Sequence, residues 1–345
     1  MDPLRVGVVG LGDMGMTHVE CFAASADVTL AAVASKERDR LDALAERFVG
    51  LGTHDDWTEL VARGDLDAIA VVTPNNLHAP ITIAALASGK HVLCEKPMAL
   101  SSADARAMSQ AARTADRALV TVFNMRCRGD FQVLRDRVES GELGELHYAR
   151  ARWLRRRGIP SSGTWFTDPD LAGGGPLIDL GVHVLDLALV LLGEPAVRSV
   201  TAATYAEVAP ALQPGFAVED LATAFIRFTD GKTLQLETSW AAHGAQHDDF
   251  GVTVYGSTGG AELDIRDYAT ANTLRLFRDV DGVPAEERPS VGLGMGHWTV
   301  VQDFLGVVQS GSWAAHDGSE GVTRAAIIEA CYASAVSGSE VVLSD

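Results

Sequence analysis

The sequence lacks the features of disulfide-rich, zinc-binding and nucleic-acid-binding proteins. None of its four cysteines, at positions 21, 94, 127 and 331, forms a C-x-x-C pair or lies near a histidine at zinc-ligand spacing. We therefore interpret them as reduced, mostly buried thiols of a cytoplasmic protein. Basic residues are also few, since 28 Lys and Arg against 46 Asp and Glu leave a formal net charge of −18. This charge argues against nucleic acid as a partner, because its phosphates would be repelled.

Long apolar runs, internal repeats and low-complexity tracts are missing as well. The most apolar stretch, Val182 to Leu192, is short and contains His183 and Asp186, so we do not expect it to span a membrane. The first strand is predicted almost at Met1, which leaves no room for a signal peptide. At 345 residues the chain is too long for one typical core, and two domains are expected.

The patterning of apolar residues changes near position 124. Residues 1–123 alternate near-continuous apolar strands with helices, which predicts an α/β domain with a parallel sheet covered on both faces. Residues 124–345 contain period-two runs and turn signals, which predict an α+β domain with an open, mainly antiparallel sheet that includes the C-terminal helices. The acidic, turn-rich segment from about Asp279 to Pro289 is expected to be a surface loop.

A glycine-rich turn follows the first predicted strand and opens the first helix. In Gly10-Leu11-Gly12-Asp13-Met14-Gly15, the first glycine allows the tight turn, the second allows close approach of a pyrophosphate, and the third allows helix and strand to pack closely. The helix N-terminus then faces the phosphates. A turn without a ligand is the alternative, but the strand-to-helix context favours a dinucleotide site.

The end of the second predicted strand bears on the choice of cofactor. An NAD site usually places Asp or Glu there to bind the ribose 2′-hydroxyl. This chain has Ser35, with Lys36 and Arg38 close behind, and a hydroxyl with two cations suits a 2′-phosphate. We therefore favour NADP(H), with NAD(H) possible. Ser35 as a simple N-cap is the alternative interpretation.

Two further loops follow predicted strands. Thr73-Pro74-Asn75, with His78 three residues on, lies near the expected switch point of the sheet, although a turn with a helix cap would also explain it. Glu95-Lys96-Pro97 follows the strand from His91 to Cys94. A lysine at the carboxyl end of a parallel strand stands where open α/β sheets bind ligands.

The second chemical cluster follows Gly173-Gly174-Gly175-Pro176. Asp179 and His183 are four residues apart on a predicted helix and so share one face. That face is otherwise apolar, and a buried carboxylate and imidazole need partners. A structural Asp–His pair is the alternative, but histidine titrates near neutrality and can move a hydroxyl proton.

Together these motifs resemble the glucose–fructose oxidoreductase, inositol dehydrogenase and rhizopine-catabolism (Gfo/Idh/MocA) family, over essentially the full length. The resemblance rests on the order and spacing of these motifs, with Asn124-Met125-Arg126 among them. It implies a Rossmann domain, and hydride transfer between nicotinamide and a secondary alcohol or ketone of a sugar, glycoside or cyclitol. It also implies a homodimer or homotetramer formed through the C-terminal sheet.

The resemblance also assigns roles to residues. Lys96 would hydrogen-bond the reacting hydroxyl, His183 would exchange its proton, and Asp179 would contact the substrate or orient the pair. Glu95 would lie near the nicotinamide ribose and Asn124 near the nicotinamide edge. No metal is expected, because the hydride leaves to the cofactor and the proton to a side chain.

Substrate contacts are expected from residues around the same motifs, namely Arg126, Arg155 and Trp165. The run from Arg157 to Pro160 resembles family members that act on pyranosides, and we expect a hexose derivative, with carbon 3 as one position of reaction. Two alternatives are a same-fold reductase of a dihydrodiol-like or biliverdin-like substrate and a non-catalytic nucleotide-binding regulator. The joint presence of Lys96, Asp179 and His183 counts against the regulator.

Overall fold

The computed structural model describes residues 3–161, 163–213, 215–292, 294 and 296–343. The chain divides into two compact units. The first unit comprises residues 1–124 and 295–325, and the second comprises residues 125–294 and 326–345. The predicted boundary at 123/124 lies within one residue of the first of these divisions.

The first unit is built on a parallel sheet whose six strands, among the described residues, are arranged in the order β3-β2-β1-β4-β5-β6. All of its strand pairs are parallel, and four of the six are almost completely buried along their central residues, which confirms the predicted Rossmann-type domain. The chain crosses over at β1 and β4, which places the β1–α1 turn at the switch point. The strands are β1 Leu4–Val9, β2 Val28–Ala34, β3 Gly52–His54, β4 Ala68–Val71, β5 His91–Cys94 and β6 Leu119–Thr121.

Helices cover this sheet because each has one apolar face. In the last of them, Ser101 is the N-cap and accepts a hydrogen bond from the Asp104 amide, while Asp116 closes the helix in the left-handed conformation. The connecting helices are α1 Asp13–Ala23, α2 Arg38–Arg47, α3 Trp57–Val61, α4 His78–Ala87 and α5 Ser102–Ala115.

The second unit is built on a mixed sheet that, in the described part of the chain, has nine strands in the order β14-β13-β12-β11-β7-β10-β9-β8-β15. Only β7 and β10 pair in parallel, so the predicted mainly antiparallel sheet is confirmed. The strands are β7 Leu146–Arg155, β8 Val197–Tyr205, β9 Leu221–Phe228, β10 Thr233–Ser239, β11 Asp248–Gly256, β12 Gly259–Arg266, β13 Leu274–Val280, β14 Val283–Glu287 and β15 Val341–Val342.

The central helical segment of the second unit is not α-helical throughout. Residues Leu177–Gly181 form a π-helical turn that continues into the helix Val182–Leu192. The stretch Pro169–Leu192 is long and apolar enough to cross a membrane by length and composition, but 83% of its most apolar window is buried, as in the core helix of a soluble protein. The helices of this unit before residue 295 are α6 Gly129–Glu139, α7 Pro169–Ala172, α8 Val182–Leu192 and α9 Ala209–Leu212.

Two further helices follow, α10 His297–Ser310 and α11 Ser319–Ser337. The predicted division assigns both to the second domain, whereas α10 packs in the first unit and the division between the units falls inside α11. In α10, the side-chain amide of Gln302 donates a hydrogen bond to Ser25 Oγ at 2.7 Å, and Ser25 belongs to the first unit. An apolar helix face does not by itself show which sheet it covers.

The prediction of a surface loop from Asp279 to Pro289 is wrong over most of that segment. Strands β13 and β14 form a hairpin there, with Asp281 and Gly282 both at positive φ in the two-residue turn. Asp-Gly is a favoured pair for such a turn, so the dipeptide was the signal for a hairpin.

Candidate functional site

The glycine turn of the first unit has the geometry that its sequence predicts. Gly10 has φ +93°, and a Cβ there would lie 2.1 Å from the Val72 carbonyl oxygen, while a Cβ on Gly15 would lie 2.1 Å from the Gly10 oxygen. A Cβ on Gly12 would meet nothing within 4 Å. The first and third glycines are therefore required by packing, whereas Gly12 leaves open space beside the N-terminus of α1. Asp13 and Met14 are exposed in the first turn of that helix.

The end of β2 presents an acidic side chain that the sequence interpretation did not use. The Ser35 hydroxyl donates to the Glu37 carboxylate, and Ser35 itself is buried. Arg38, one of the two expected phosphate ligands, forms an ion pair with Asp55, and Lys36 is exposed. A cofactor ribose here would meet a carboxylate as well as cations.

The loop after β4 is tied to the loop after β5 by a buried histidine. His78 Nδ1 lies 2.7 Å from the Pro97 carbonyl oxygen and His78 Nε2 lies 3.0 Å from that of Thr73. Burial lowers the pKa of His78 even though both carbonyls favour its protonated form. The structure thus gives His78 a role in holding two strand-end loops together, and its predicted contact with the cofactor stays a prediction.

Three polar atoms around these loops suit a bound nucleotide. Thr73 Oγ1, Asn76 Oδ1 and Asn124 Oδ1 are buried and have no hydrogen-bond partner among the described residues. Buried polar atoms in folded proteins almost always have a partner, so these atoms are ready to bond a ligand or water. With the open space at Gly12, they show that the residues present fit a dinucleotide cofactor. Asn75 is also buried in this loop, after Pro74.

Lys96 follows β5 and is half-buried, as a strand-end lysine should be. Its amide donates to Glu95 Oε2 at 3.1 Å, so the Glu95 carboxylate fixes the backbone that carries it. Glu95 Oε1 in turn lies 2.9 Å from His18 Nε2 and 3.6 Å from His297 Nε2. Burial alone would raise the pKa of Glu95, but the hydrogen bond from His18 and the nearby charges outweigh it and hold that pKa at about 2.

The ligand atoms of His18, Glu95 and His297 lie within 4.8 Å of one another, a spacing that a metal ion can bridge. The carboxylate is nevertheless bonded directly to His18, and His18 Nδ1 has no hydrogen-bond partner in the described residues. A metal-bound histidine usually donates from its second ring nitrogen. We therefore interpret the cluster as a hydrogen-bonded carboxylate, and metal independence stays a prediction.

In the second unit, Asp179 lies in the π-helical turn and His183 in the first turn of α8. Asp179 Oδ2 accepts a hydrogen bond from Trp240 Nε1 at 3.0 Å. The His183 ring is buried, 5.6 Å from the Trp153 ring between centroids. The structure thus places this carboxylate and imidazole at the start of a mostly apolar helix, whose one other polar residue is Asp186.

The turn before this pair is held by residues that the sequence interpretation missed. Glu219 Oε2 accepts from the Gly175 amide at 2.8 Å, and Glu219 Oε1 accepts from the Leu177 amide at 3.1 Å and from the Tyr332 hydroxyl at 2.9 Å. Burial raises the pKa of Glu219, and these three hydrogen bonds oppose the rise. Its partners lie more than forty residues away in sequence, and no local pattern indicates such a contact.

The predicted substrate residues have partners within the second unit. Arg126 forms a bidentate ion pair with buried Asp186, and Arg155 Nε donates to Asp248 Oδ1 at 2.9 Å. The Trp165 ring stacks on Phe166 with centroids 3.8 Å apart. Both guanidinium groups are thus bonded within the protein, and the substrate roles of these three residues stay predictions.

The four cysteines are free thiols in the structure. All four cysteines lie in the described part of the chain, and no disulfide links them. Burial raises the pKa of Cys94 and that of Cys331 to about 12, so neither is a reactive thiolate at neutral pH.

Comparison with known proteins agrees with both units. Residues 4–123 match the oxidoreductase family with an NAD-binding Rossmann fold, and residues 131–262 match the GFO/IDH/MocA C-terminal domain. The chain belongs to the Gfo/Idh/MocA family. The resemblance seen in the sequence is therefore confirmed, and the protein is an NAD(P)-dependent oxidoreductase.

Individual relatives cover nearly the whole chain. D-glucoside 3-dehydrogenase of Escherichia coli (strain K12) is 33% identical over 351 residues, which cover 99% of this chain and 98% of the relative. Levoglucosan dehydrogenase of Pseudarthrobacter phenanthrenivorans is 28% identical over 384 residues, with 99% and 98% covered. A structure of levoglucosan dehydrogenase in complex with NADH superimposes with a TM-score of 0.87 at 25% identity and covers 99% of each chain.

Proposed function

We propose that this oxidoreductase oxidises a secondary hydroxyl of a sugar, glycoside or cyclitol, or reduces the corresponding ketone, with carbon 3 of a pyranose ring as the reacting position. The observation that carries the proposal is the Asp179–His183 pair at the head of the apolar helix α8, because a carboxylate and an imidazole there suit proton exchange with a hydroxyl. The names of the relatives, a glucoside 3-dehydrogenase and a levoglucosan dehydrogenase, support the substrate class.

In this proposal each residue has a separate task. Lys96 hydrogen-bonds the reacting oxygen, His183 exchanges its proton, and Asp179, held by Trp240, orients the substrate or the imidazole. A nicotinamide cofactor held at the glycine turn would supply the hydride acceptor for oxidation or the hydride donor for reduction. A same-fold reductase of a more apolar substrate is less well supported, because Asp179 and His183 provide the polar groups that a polyol needs.

The end of β2 carries groups that favour each of the two nicotinamide cofactors. NADP(H) stays a prediction based on Ser35, Lys36 and Arg38. The Glu37 carboxylate at Ser35 and the Arg38–Asp55 ion pair favour NAD(H), because a carboxylate at this strand end binds a ribose 2′-hydroxyl and repels a 2′-phosphate. Michaelis constants for the two cofactors decide between them.

We propose a homodimer or homotetramer formed through the open face of the nine-stranded sheet, where the Tyr148 and Tyr255 rings stack and Tyr255 is 48% exposed. Light scattering after gel filtration measures the mass. A cytoplasmic location is supported by the absence of a disulfide among the four cysteines.

The test of the proposed function is a substrate screen with the purified protein. Methyl glucosides, anhydrosugars, free hexoses and inositols are each incubated with NAD⁺ or NADP⁺ and followed at the nicotinamide absorbance. We expect turnover with at least one pyranoside, and an NMR spectrum of the product that shows a ketone at carbon 3. Turnover restricted to dihydrodiols or tetrapyrroles, with none on any sugar or cyclitol, would refute the substrate class.

A further inference from the structure

The backbone before the Asp179–His183 pair is bonded to one buried carboxylate. Glu219 is 8% exposed and receives hydrogen bonds from two amides of this turn, Gly175 and Leu177, and from the Tyr332 hydroxyl. The first amides of a helix have no partner within the helix, so a carboxylate placed there satisfies them and favours one orientation of the helix start. Leu177 is the first residue of the π-helical turn that carries Asp179.

The glycines of this turn permit the contact. A Cβ on Gly175 would lie 2.0 Å from the Glu219 carbonyl oxygen, and a Cβ on Gly174 would lie 2.0 Å from the Tyr332 hydroxyl oxygen. Gly174 also has φ +155°, which side chains of other residues rarely allow. The Gly174-Gly175 sequence thus lets the backbone approach Glu219 and Tyr332 closely enough to bond.

We propose that Glu219 and Tyr332 are positioning residues for Asp179 and His183. Glu219 holds the Gly175 and Leu177 amides, Tyr332 holds the Glu219 carboxylate, and the two together set where the π-helical turn and helix α8 begin. This proposal rests on the proposed function, since it assigns Asp179 and His183 to the reaction.

The side chain of the adjacent Asp220 is a second buried carboxylate that accepts from backbone amides in the same region. It is 1% exposed, and its Oδ2 accepts from the Val208 and Ala209 amides at 2.7 Å each. The two neighbours thus share burial and bond type, but Asp220 holds a turn outside the catalytic helix. Asp220→Asn is therefore the matched control for Glu219→Gln.

The first test compares turnover and its isotope effect in Glu219→Gln, Tyr332→Phe and Asp220→Asn. Glutamine keeps only one acceptor oxygen. The NH₂ group that replaces the second oxygen would face a backbone amide donor, and the repulsion between the two donors should shift the turn. We expect turnover to fall about 10- to 100-fold in Glu219→Gln, because small misplacements of reacting groups have effects of this size. Tyr332→Phe removes the hydroxyl that donates to Glu219 and should lower turnover about 3- to 10-fold, while Asp220→Asn stays within about 2-fold.

The isotope effect separates positioning from loss of folded protein. With a substrate deuterated at the reacting carbon, misplacement slows hydride transfer itself, so the primary isotope effect on kcat should increase in Glu219→Gln and Tyr332→Phe. A variant that only lowers the folded fraction reduces kcat with an unchanged isotope effect. An unchanged isotope effect in both variants, with turnover reduced no more than in Asp220→Asn, would overturn the proposal.

The second test does not depend on activity. Hydrogen exchange measured by mass spectrometry should be faster in the peptide covering residues 173–183 of Glu219→Gln than in Asp220→Asn or the wild type. Unchanged exchange there would also overturn the proposal. If the wild type turns over no sugar or cyclitol, the proposed function fails and the role of Glu219 in positioning reacting groups fails with it, while exchange still shows whether Glu219 holds the turn.

Discussion

Each unit contains one buried glutamate that bonds the backbone beside a predicted catalytic residue, but the two glutamates are stabilised in different ways. Glu95 in the first unit accepts from the Lys96 amide and is surrounded by His18, His297 and the Lys96 charge. The hydrogen bonds that Glu219 accepts in the second unit come from neutral donors, namely two backbone amides and the Tyr332 hydroxyl. The pKa of Glu95 is accordingly held at about 2, whereas burial raises that of Glu219.

This difference shows that a buried carboxylate can fix a backbone with or without a cationic partner. Charged partners make the ionised form of Glu95 stable over the whole physiological range. Burial raises the pKa of Glu219, so its contribution to stability should respond to acid in the opposite sense from that of Glu95. The comparison can be tested at three levels, from the reacting groups to the cofactor site.

The largest expected effect comes from removing the reacting group of each unit. Lys96→Ala and His183→Ala should each lower turnover by at least about 100-fold, since general acid–base help contributes that much or more. His183→Ala should keep its affinity for the nicotinamide cofactor, because the glycine turn and the predicted nucleotide ligands belong to the first unit. Steady-state kinetics and titration of cofactor fluorescence measure the two quantities.

Residues of the same types that lie outside the predicted site provide controls for these variants. Lys232→Ala removes a partly exposed lysine whose ammonium group bonds Asp230, and His147→Ala removes an exposed histidine. Both should turn over at the wild-type rate. Near-normal turnover in both Lys96→Ala and His183→Ala would show that neither unit supplies a reacting group.

The next effect is the opposite pH response of the two glutamates. The pKa of Glu95 is about 2 in the folded protein against 4.5 as its ordinary value, so its stabilising contribution is present above 4.5 and is lost as the pH falls through 2. That difference corresponds to a contribution on the order of 3 kcal/mol. The pKa of Glu219 is raised, so its contribution is present below 4.5 and is lost as the pH rises through the folded value.

Urea unfolding of Glu95→Gln, Glu219→Gln and the wild type between about pH 6 and about pH 3 checks the two signs. As the pH falls, the difference in unfolding free energy between wild type and Glu95→Gln should shrink, and that between wild type and Glu219→Gln should grow. Glu46→Gln, at an exposed position on α2, gives the baseline. Two differences that move in the same direction would contradict the comparison.

The smallest expected effect concerns cofactor choice in the first unit alone. Glu37→Gln removes the carboxylate beside Ser35 and should lower the ratio of kcat/KM for NAD⁺ to that for NADP⁺ by about 10-fold, equivalent to one modest interaction. Asp39→Asn makes the same charge change in the first turn of α2 and should leave the ratio near the wild-type value. An equal shift in both variants would mean that general charge, not the Ser35–Glu37 contact, sets the preference.

Local patterns predicted much of this molecule. Gly10, Gly12 and Gly15 predicted the turn between β1 and α1, and a Cβ at the first or third position would indeed meet backbone at 2.1 Å. Apolar periodicity predicted the parallel sheet and the antiparallel sheet. Single residues at long separation could not be predicted, because Glu219, Tyr332, His18 and His297 have no repeating neighbours that reveal their partners.

Local sequence patterns are enough to specify the two kinds of sheet, the nucleotide turn and the polar residues Asp179 and His183, because each depends on residues within a few positions of one another. Tertiary structure decided what Lys96 and the Asp179 turn are bonded to. It also decided that α10 packs with the first unit. These outcomes depend on which surfaces meet after folding, and the spacing of neighbouring residues in the sequence does not reveal the free energy of such contacts.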